Sequence, residues 1–276
     1  MSRAPRLAPN RGRRTLLRLL LSSRLGRLLR HWRHKDHDIV MPQGIGRGLR
    51  FNKAGGNPDY ALGTNEPPVQ EALAEMLRPA DVFFDIGANV GFFTVIAARL
   101  VGKHGQVIAF EPVPANAAAV RHNCALNDFV NVRVLETAIS DEDGTAELRL
   151  AHYGGGAALA AVAPPPDLKG IITVPVNTVD TLVAQKKVPP PTVVKIDVEG
   201  AEINVLRGMH ETLRQIRPIV IYEIDDESPQ LLAEKAALCD AFLKRLGYQI
   251  RALEDAYPDI DWLVSHYVAT PMETSI

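Results

Sequence analysis

Four acidic side chains follow or end strongly apolar runs, where they could bind a ligand or take up a proton. They are Asp85, Glu111, Asp197 and Glu199. A carboxylate accepts hydrogen bonds from an amine or a ribose diol, and it can also remove the proton of a hydroxyl group. The residue types therefore predict a site that binds a polar ligand and carries out acid–base chemistry.

A turn with little side-chain bulk follows the first of these acids. The string GANVG places Gly87 and Gly91 four residues apart, and glycine leaves room for a ligand against the backbone. A dinucleotide-binding turn reads G-x-G-x-x-G and directs a pyrophosphate at a helix N-terminus. Here Asn89 replaces the middle glycine, and Asp85 would repel a phosphate. The turn therefore favours a cationic amino-acid moiety, such as the methionine part of S-adenosylmethionine, over NAD.

The second acid supports a ligand that contains adenosine. Glu111 stands 24 residues after Gly87, at the end of the next apolar run. A carboxylate there can accept both ribose hydroxyl protons, as in nucleotide-binding α/β folds. This feature alone does not separate NAD from S-adenosylmethionine. A purely structural role for Asp85 in a turn, or for Glu111 at a strand end, explains either residue alone but not their joint spacing.

Alternating strands and helices must position these residues. From residue 66 onward, apolar strand-like runs alternate with helical stretches of ten or more residues, which is typical of parallel βαβ units. The sequence predicts a doubly wound, mostly parallel seven-stranded α/β sheet of Rossmann-like type, with ligands at the carboxyl ends of the strands. The predicted sheet strands are 81–86, 106–111, 131–139, 191–198, 218–224, 249–253 and 262–268, and the helices are 67–78, 90–101, 114–127, 177–185, 201–216 and 228–248.

The middle of the chain interrupts this pattern. Strands are predicted at 145–150 and 172–176, with a loop of small residues and prolines at 151–170 between them. Because long loops inside compact domains are often functional, we expect this loop and His152 at its start to lie near the substrate. Glu223, near the end of the fifth core strand, is predicted to line the same pocket. His210 is predicted to face solvent.

Charge divides the chain into a basic head and an acidic body. Residues 1–35 carry 11 Lys and Arg and no Asp or Glu, so the remaining chain holds 20 basic and 32 acidic residues. We predict a basic extension at 1–35, a loop-rich lead-in at 36–65 and the catalytic domain at 66–276. If residues 15–33 form a helix, its leucines share one face, which predicts peripheral membrane contact; a transit peptide or an unstructured extension would also fit. The acidic body argues against nucleic-acid partners.

Two cysteines, Cys124 and Cys239, are too few for a disulfide framework and have no metal-type spacing. Both are predicted to be reduced packing residues. We therefore expect a cytoplasmic protein, with membrane-peripheral contact only through its basic head. No spacing of acidic, His or Cys residues predicts a metal site.

Four motifs together resemble those of the FkbM-type methyltransferases, a branch of the class I S-adenosylmethionine-dependent enzymes. They are DIGANVGFFT, AFEPVPAN, LNDFVNV and KIDVEGAEINVLRG, between about residues 69 and 224. The last motif makes the resemblance specific to this branch. The resemblance implies a cofactor site formed by Asp85, Gly87, Asn89, Gly91, Glu111 and Ala138, with the methionine part near the first four, the ribose at Glu111 and the adenine near Ala138. It also places Asp197 beside the methyl group.

The expected reaction is O-methylation of a small-molecule, sugar or natural-product acceptor. Asp197 and Glu199 are the candidates to orient the acceptor hydroxyl and take its proton, because in an extended strand they would share a face and two nearby carboxylates raise one pKa. A non-catalytic scaffold recruited by the basic head, or an NAD-dependent oxidoreductase, are the alternatives. The sequence specifies neither the acceptor nor the oligomeric state.

Overall fold

Thirteen strands and eight helices are assigned in the computed structural model, which describes residues 37–54, 56–151, 157–159, 168–226, 228–257 and 263–272. In chain order the strands are β1 (Ile39–Val40), β2 (Arg50–Phe51), β3 (Val82–Ile86), β4 (Gln106–Phe110), β5 (Val132–Leu135), β6 (Ala138–Ile139), β7 (Gly144–Ala151), β8 (Ala157–Leu159), β9 (Leu168–Asn177), β10 (Val193–Ile196), β11 (Ile219–Asp225), β12 (Tyr248–Ala252) and β13 (Val264–Pro271). The helices are α1 (Pro58–Leu62), α2 (Pro67–Met76), α3 (Phe92–Val101), α4 (Pro114–Ala125), α5 (Val179–Ala184), α6 (Glu202–Gly208), α7 (His210–Gln215) and α8 (Pro229–Arg245).

The central sheet has seven strands in the order β12-β13-β11-β10-β3-β4-β5. The pairs among β11, β10, β3, β4 and β5 are parallel, and β13 is inserted antiparallel between β11 and β12. The strand order reverses at β3, since β4 and β5 lie on one side of it and β10 and β11 on the other. A ligand crevice forms at such a switch point. The predicted doubly wound, mostly parallel seven-stranded fold is confirmed.

Two apolar layers cover the faces of this sheet. Successive side chains of β3 alternate between them: Phe83 belongs to one buried cluster, and Phe84 to the other. Side chains alternate along a strand with a period of two, so Asp85 shares the face of Phe83. That face packs on α3, whose Thr94 reaches Asp85. The alternation thus directs a carboxylate into an otherwise apolar layer.

A second sheet of four strands, in the order β6-β9-β7-β8, accounts for the interrupted middle of the chain. The predicted strand at 131–139 is divided into β5 and β6, and these strands belong to different sheets. The predicted loop at 151–170 is partly wrong, because β8 lies within it and β9 begins at Leu168. Antiparallel pairing along β7 supplies backbone hydrogen bonds that override the small-residue composition. His152 lies outside the described residues.

The predicted helix at 201–216 is two helices that meet at Met209. A Cβ on Gly208 would lie 1.9 Å from the carbonyl oxygen of Ser140, so the two backbone segments are too close there for any side chain at position 208. The Asp180 carboxylate accepts hydrogen bonds from the backbone N–H groups of Glu211 and Thr212, both at 2.8 Å. These contacts start a new helix at that point.

The lead-in packs against the first apolar layer. Met41 and Phe51 are buried, and the rings of Phe51 and Tyr60 lie 5.9 Å and 5.3 Å from the ring of Phe92. Within this loop-rich lead-in, β2 pairs with β1. Asn123 of α4 accepts a hydrogen bond from the backbone N–H of Asn52 at 2.7 Å. The lead-in therefore belongs to the same folded body as the sheet.

The two cysteines are unbonded and buried, and burial raises the pKa of each thiol to about 12. Within the described ranges, no helix has the length and apolar character required to cross a bilayer. The basic extension at 1–35, including the membrane contact predicted for 15–33, lies outside the described residues and stays a prediction.

Candidate active site

The turn after β3 has left-handed backbone at alternate residues. Gly87, Asn89 and Gly91 have φ of 82°, 50° and 87°. A Cβ on Gly87 would lie 1.8 Å from the carbonyl oxygen of Asp197, so the ends of β3 and β10 touch at this glycine. Gly91 is the residue before α3 and packs on Val120. The protein's own contacts therefore favour glycine at both positions.

Asp85 lies beneath this turn and is 1% exposed. Its Oδ2 accepts a hydrogen bond from the Thr94 hydroxyl at 2.5 Å, whereas Oδ1 has no hydrogen-bond partner among the described residues. Burial raises the pKa of Asp85, and the nearby Lys195 opposes that rise. A buried acceptor without a donor favours a cationic group beside it.

Glu111 joins the two loops that follow β3 and β4. Its Oε2 accepts from the backbone N–H of Asn89 at 2.8 Å, and its Oε1 accepts from the backbone N–H of Val113 at 2.9 Å. Asn116 Nδ2 is a longer donor to Oε1, at 3.5 Å. Burial raises the pKa of Glu111 to about 7. Because a carboxylate has about four lone-pair sites, it retains capacity for a ribose hydroxyl after these contacts.

Ala138 lies in β6, beyond the end of β5, and is buried. It belongs to a small apolar cluster on which Val113 packs. Val113 donates its backbone N–H to Glu111 Oε1, so Val113 links the loop of Glu111 to the cluster that contains Ala138.

Asp197 directly follows β10 and forms an ion pair with Lys195, at 2.8 Å between Oδ2 and Nζ. Lys195 is 2% exposed, and its Nζ lies 4.5 Å from the centre of the Phe93 ring. Burial disfavours the ammonium, but Asp197, Asp85 and other carboxylates outweigh it and raise the pKa of Lys195. Sequence reasoning missed this lysine, although a charged residue within the apolar run VVKI was a signal.

Glu199 does not share a strand face with Asp197, so that expectation was wrong. The strand ends at Ile196, and Glu199 has φ of 53° in a turn before α6. Its side chain is exposed, although protein atoms surround the turn that carries it. This partial dehydration, followed by the charge of Asp197, raises the pKa of Glu199. The charge of Asp197 therefore acts on Glu199 across a turn, and the catalytic role of the pair stays a prediction.

Glu223 meets residues from both ends of the chain. It lies opposite His266 in the β11–β13 pair, and its Oε2 is 2.7 Å from His266 Nε2. Glu66, which precedes α2, places its Oε2 3.3 Å from the same nitrogen. Tyr257 donates a hydrogen bond to Glu66 Oε1 at 3.0 Å. Sequence reasoning missed Glu66, Tyr257 and His266 because no motif connects segments this far apart.

Comparison with known proteins identifies the family. The family model described as "Methyltransferase FkbM domain" matches residues 85–250. The 31-O-demethyl-FK506 methyltransferase FkbM of Streptomyces tacrolimicus is 31% identical over 187 residues, covering 57% of this chain and 71% of that protein. The hexuronic acid methyltransferase AglP of Haloferax volcanii is 28% identical, covering 56% of this chain and 61% of that protein.

Further similarity extends to a third enzyme and to a solved structure. The 2-O-methyltransferase NoeI of Sinorhizobium fredii is 28% identical over 61% of this chain and 76% of its own length. The crystal structure of a methyltransferase FkbM from Methylobacillus flagellatus superposes with a TM-score of 0.45 at 19% identity, covering 76% of this chain and 52% of that one. The family match, which spans more than half of the chain, agrees with the observed strand order and carboxylates. This chain therefore belongs to the FkbM-type family of S-adenosylmethionine-dependent methyltransferases.

Proposed function

We propose that the protein transfers a methyl group from S-adenosylmethionine to a hydroxyl of a sugar or a small natural product. The names of the similar enzymes specify a hexuronic acid, a 2-O position and a 31-O position, which are oxygen-bearing acceptors of this kind. The observation that carries the proposal is the pair of buried carboxylates, Asp85 and Glu111, on either side of the Gly87 turn. Such a pair suits an amino acid and a ribose on one ligand.

The residues of the turn fit the cofactor as follows. Asp85 supplies a buried negative charge for the amino group, and the bare backbone at Gly87, Asn89 and Gly91 leaves space for the methionine part. Because Asp85 is 1% exposed, we assign it an electrostatic contact that a bridging water can complete. Glu111 binds the ribose hydroxyls with its remaining lone pairs.

The outer parts of the site fit the adenine and the acceptor. Ala138 lines the adenine pocket, where an apolar residue provides contact area. Asp197 lies at the switch point of the sheet, opposite the Gly87 turn, and therefore beside the reacting end of the cofactor. When bound, S-adenosylmethionine supplies an electrophilic methyl group on a sulfonium.

The chain's own residues then align the acceptor and remove its proton. Lys195 fixes one oxygen of Asp197 through the ion pair, which leaves the other oxygen in a defined position to orient a hydroxyl. Glu199 takes the proton, because a carboxylate whose pKa is raised is a stronger base. Since the raised pKa keeps Glu199 protonated in mildly acidic solution, turnover should increase with pH and then level off.

The reaction is tested by incubating the protein with labelled S-adenosylmethionine and a panel of uronic acids, hexoses and hydroxylated macrocycles. The products are analysed by mass spectrometry. We expect a gain of one methyl group on an acceptor oxygen. The Glu199→Gln variant should lose the rise of turnover with pH, while the Glu75→Gln variant, altered at an exposed salt bridge with Arg251, should retain it. Tight binding of NAD without binding of S-adenosylmethionine would refute the proposal.

A further inference from the structure

Three side chains from distant parts of the chain converge beside the proposed acceptor position. Glu66, Glu223 and His266 each present one ligand-type atom, and these three atoms lie within 4.8 Å of one another. The side chains of Glu66 and His266 are 8% and 2% exposed, and that of Glu223 is 16% exposed. The cluster is therefore buried and contains more carboxylates than cationic partners.

The geometry of the three atoms matches a metal centre. His266 Nε2 lies 2.7 Å from Glu223 Oε2 and 3.3 Å from Glu66 Oε2. Ligand atoms about 2.0–2.2 Å from one ion are separated by roughly 3.0–3.4 Å in octahedral or tetrahedral arrangements. The two distances from His266 Nε2 are within a few tenths of an ångström of this range, and the Glu66 and Glu223 oxygens lie within 4.8 Å of each other. One imidazole nitrogen and two carboxylate oxygens are a ligand set suited to divalent first-row metals.

The contacts around Glu66 hold one of its oxygens ready for a ligand. Its Oε1 accepts hydrogen bonds from Asn65 Nδ2 at 2.8 Å and from the Tyr257 hydroxyl at 3.0 Å. Its Oε2 is buried, makes no hydrogen bond of good geometry in the described part of the chain, and lies 3.3 Å from His266 Nε2. Outer contacts that orient a ligating carboxylate in this way are typical of metal sites.

The backbone at Glu66 is strained in a way that preserves this orientation. Glu66 has φ of 43° and precedes Pro67. Left-handed backbone is unfavourable for a residue with a side chain, and a following proline biases it towards extended conformations. Such strain persists only where the surrounding structure fixes the residue. Here the fixed backbone of Glu66 holds its Oε2 in the cluster.

We infer that Glu66, Glu223 and His266 bind one divalent transition-metal ion, of the type of Zn²⁺ or Mn²⁺. Three protein ligands leave coordination positions for water or another oxygen. In the β10–β11 register Ile196 is paired with Tyr222, so Asp197 and Glu223, which follow them, leave adjacent strands at the same level. The ion would therefore lie one strand from Asp197. That the ion helps to bind the acceptor hydroxyl rests on the proposed function, whereas the binding of the ion itself does not.

Calorimetric titration tests the site without any measurement of methyl transfer. Untagged full-length protein, freed of metal by a chelator and dialysed, is titrated with Zn²⁺ and with Mn²⁺, and its thermal unfolding is followed with and without each ion. We expect saturable binding of one ion per chain and an increase in unfolding temperature. Absence of saturable binding would overturn the inference and leave a hydrogen-bonded ion cluster.

Variants locate the ion. Glu66→Gln and Glu223→Gln should each lower the affinity at least tenfold, and Tyr257→Phe, which removes only an orienting contact, by about 10–100-fold. Glu75→Gln serves as the control because Glu75 is exposed near the far end of α2 and pairs with Arg251 rather than with the cluster. With Co²⁺ as a spectroscopic probe, His266→Asn should alter the visible absorption bands. If the Glu66 variant does not fold, the metal affinity of Tyr257→Phe tests the contribution of Glu66 in its place. Equal metal affinity of Tyr257→Phe, Glu223→Gln and the unaltered protein would refute the assignment.

Discussion

Gly87→Ala is the substitution with the clearest predicted effect on both stability and cofactor binding. Gly87 has φ of 82°, and a Cβ at this position would lie 1.8 Å from the Asp197 carbonyl oxygen and 2.8 Å from its carbon. Neither neighbour can move freely. The Gly87 N–H donates to the Phe110 carbonyl at 3.0 Å, and the Asp197 N–H donates to the Ile86 carbonyl at 3.0 Å. The new methyl group must therefore push apart the ends of β3 and β10.

Two contributions to the loss can be separated. A left-handed conformation costs a residue with a Cβ roughly 1–2 kcal/mol, and forcing an extra methyl group into a packed site costs about 1–3 kcal/mol more. Gly48 provides a matched control, because it has φ of 87° and nothing lies within 4 Å of its ideal Cβ. Gly48→Ala should therefore show the first contribution alone, and Gly87→Ala both.

Urea unfolding of the two variants measures this difference. We expect the free energy of unfolding of Gly87→Ala to be lower than that of Gly48→Ala by about 1–3 kcal/mol. A displacement of about 1 Å at a reacting centre can reduce rates by roughly 10²-fold, so Gly87→Ala should also lose methyl transfer while Gly48→Ala retains it. Equal stability of the two variants would refute the close approach of Gly87 to Asp197.

Three further substitutions test the buried charges. Asp85→Asn should weaken S-adenosylmethionine binding by about 1.5–3 kcal/mol, the value of a hydrogen bond to a charged group. Calorimetric titration measures this loss, and an unchanged dissociation constant would exclude the assigned contact. Because the pKa of Glu111 is raised to about 7, it contributes a fall in the free energy of unfolding of the cofactor-free protein as pH rises from the ordinary glutamate pKa to about 7, while cofactor affinity should rise. Glu111→Gln should reduce the slope of both profiles, and slopes equal to those of the unaltered protein would contradict this role. Lys195→Met should destabilise the protein by up to about 3–5 kcal/mol, and the partial hydration of Asp197 lowers this figure. The loss of stability should be smaller at pH 5 than at pH 8, because the pKa of Asp85 is already raised and the carboxyl group left without its lysine is more readily protonated at the lower pH. Thermal unfolding at the two pH values checks this, and an equal loss at both would count against it.

The sequence by itself determined the sheet and the position of the glycine turn after β3. Local rules are sufficient there, because apolar runs of five or six residues between helices specify parallel strands, and parallel strands bring their carboxyl ends to one edge. Asp85, Glu111 and Asp197 each follow that rule, so their proximity could be predicted without coordinates. The same local reasoning failed for Glu199, because the strand ends at Ile196 and the chain turns through left-handed backbone.

Only the tertiary structure decided which charges face one another. Lys195 and Asp197 are two residues apart, but the burial of Lys195 next to Asp85 of β3 is tertiary, and an isolated ammonium would be unfavourable there. Glu66, Glu223 and His266 meet because the residue before α2 packs against the sheet and β13 returns antiparallel beside β11. Residues separated by 157 and 43 positions carry no periodic or spacing signal. Strand register and long-range packing, rather than local propensity, therefore create the cluster that we propose to bind a metal.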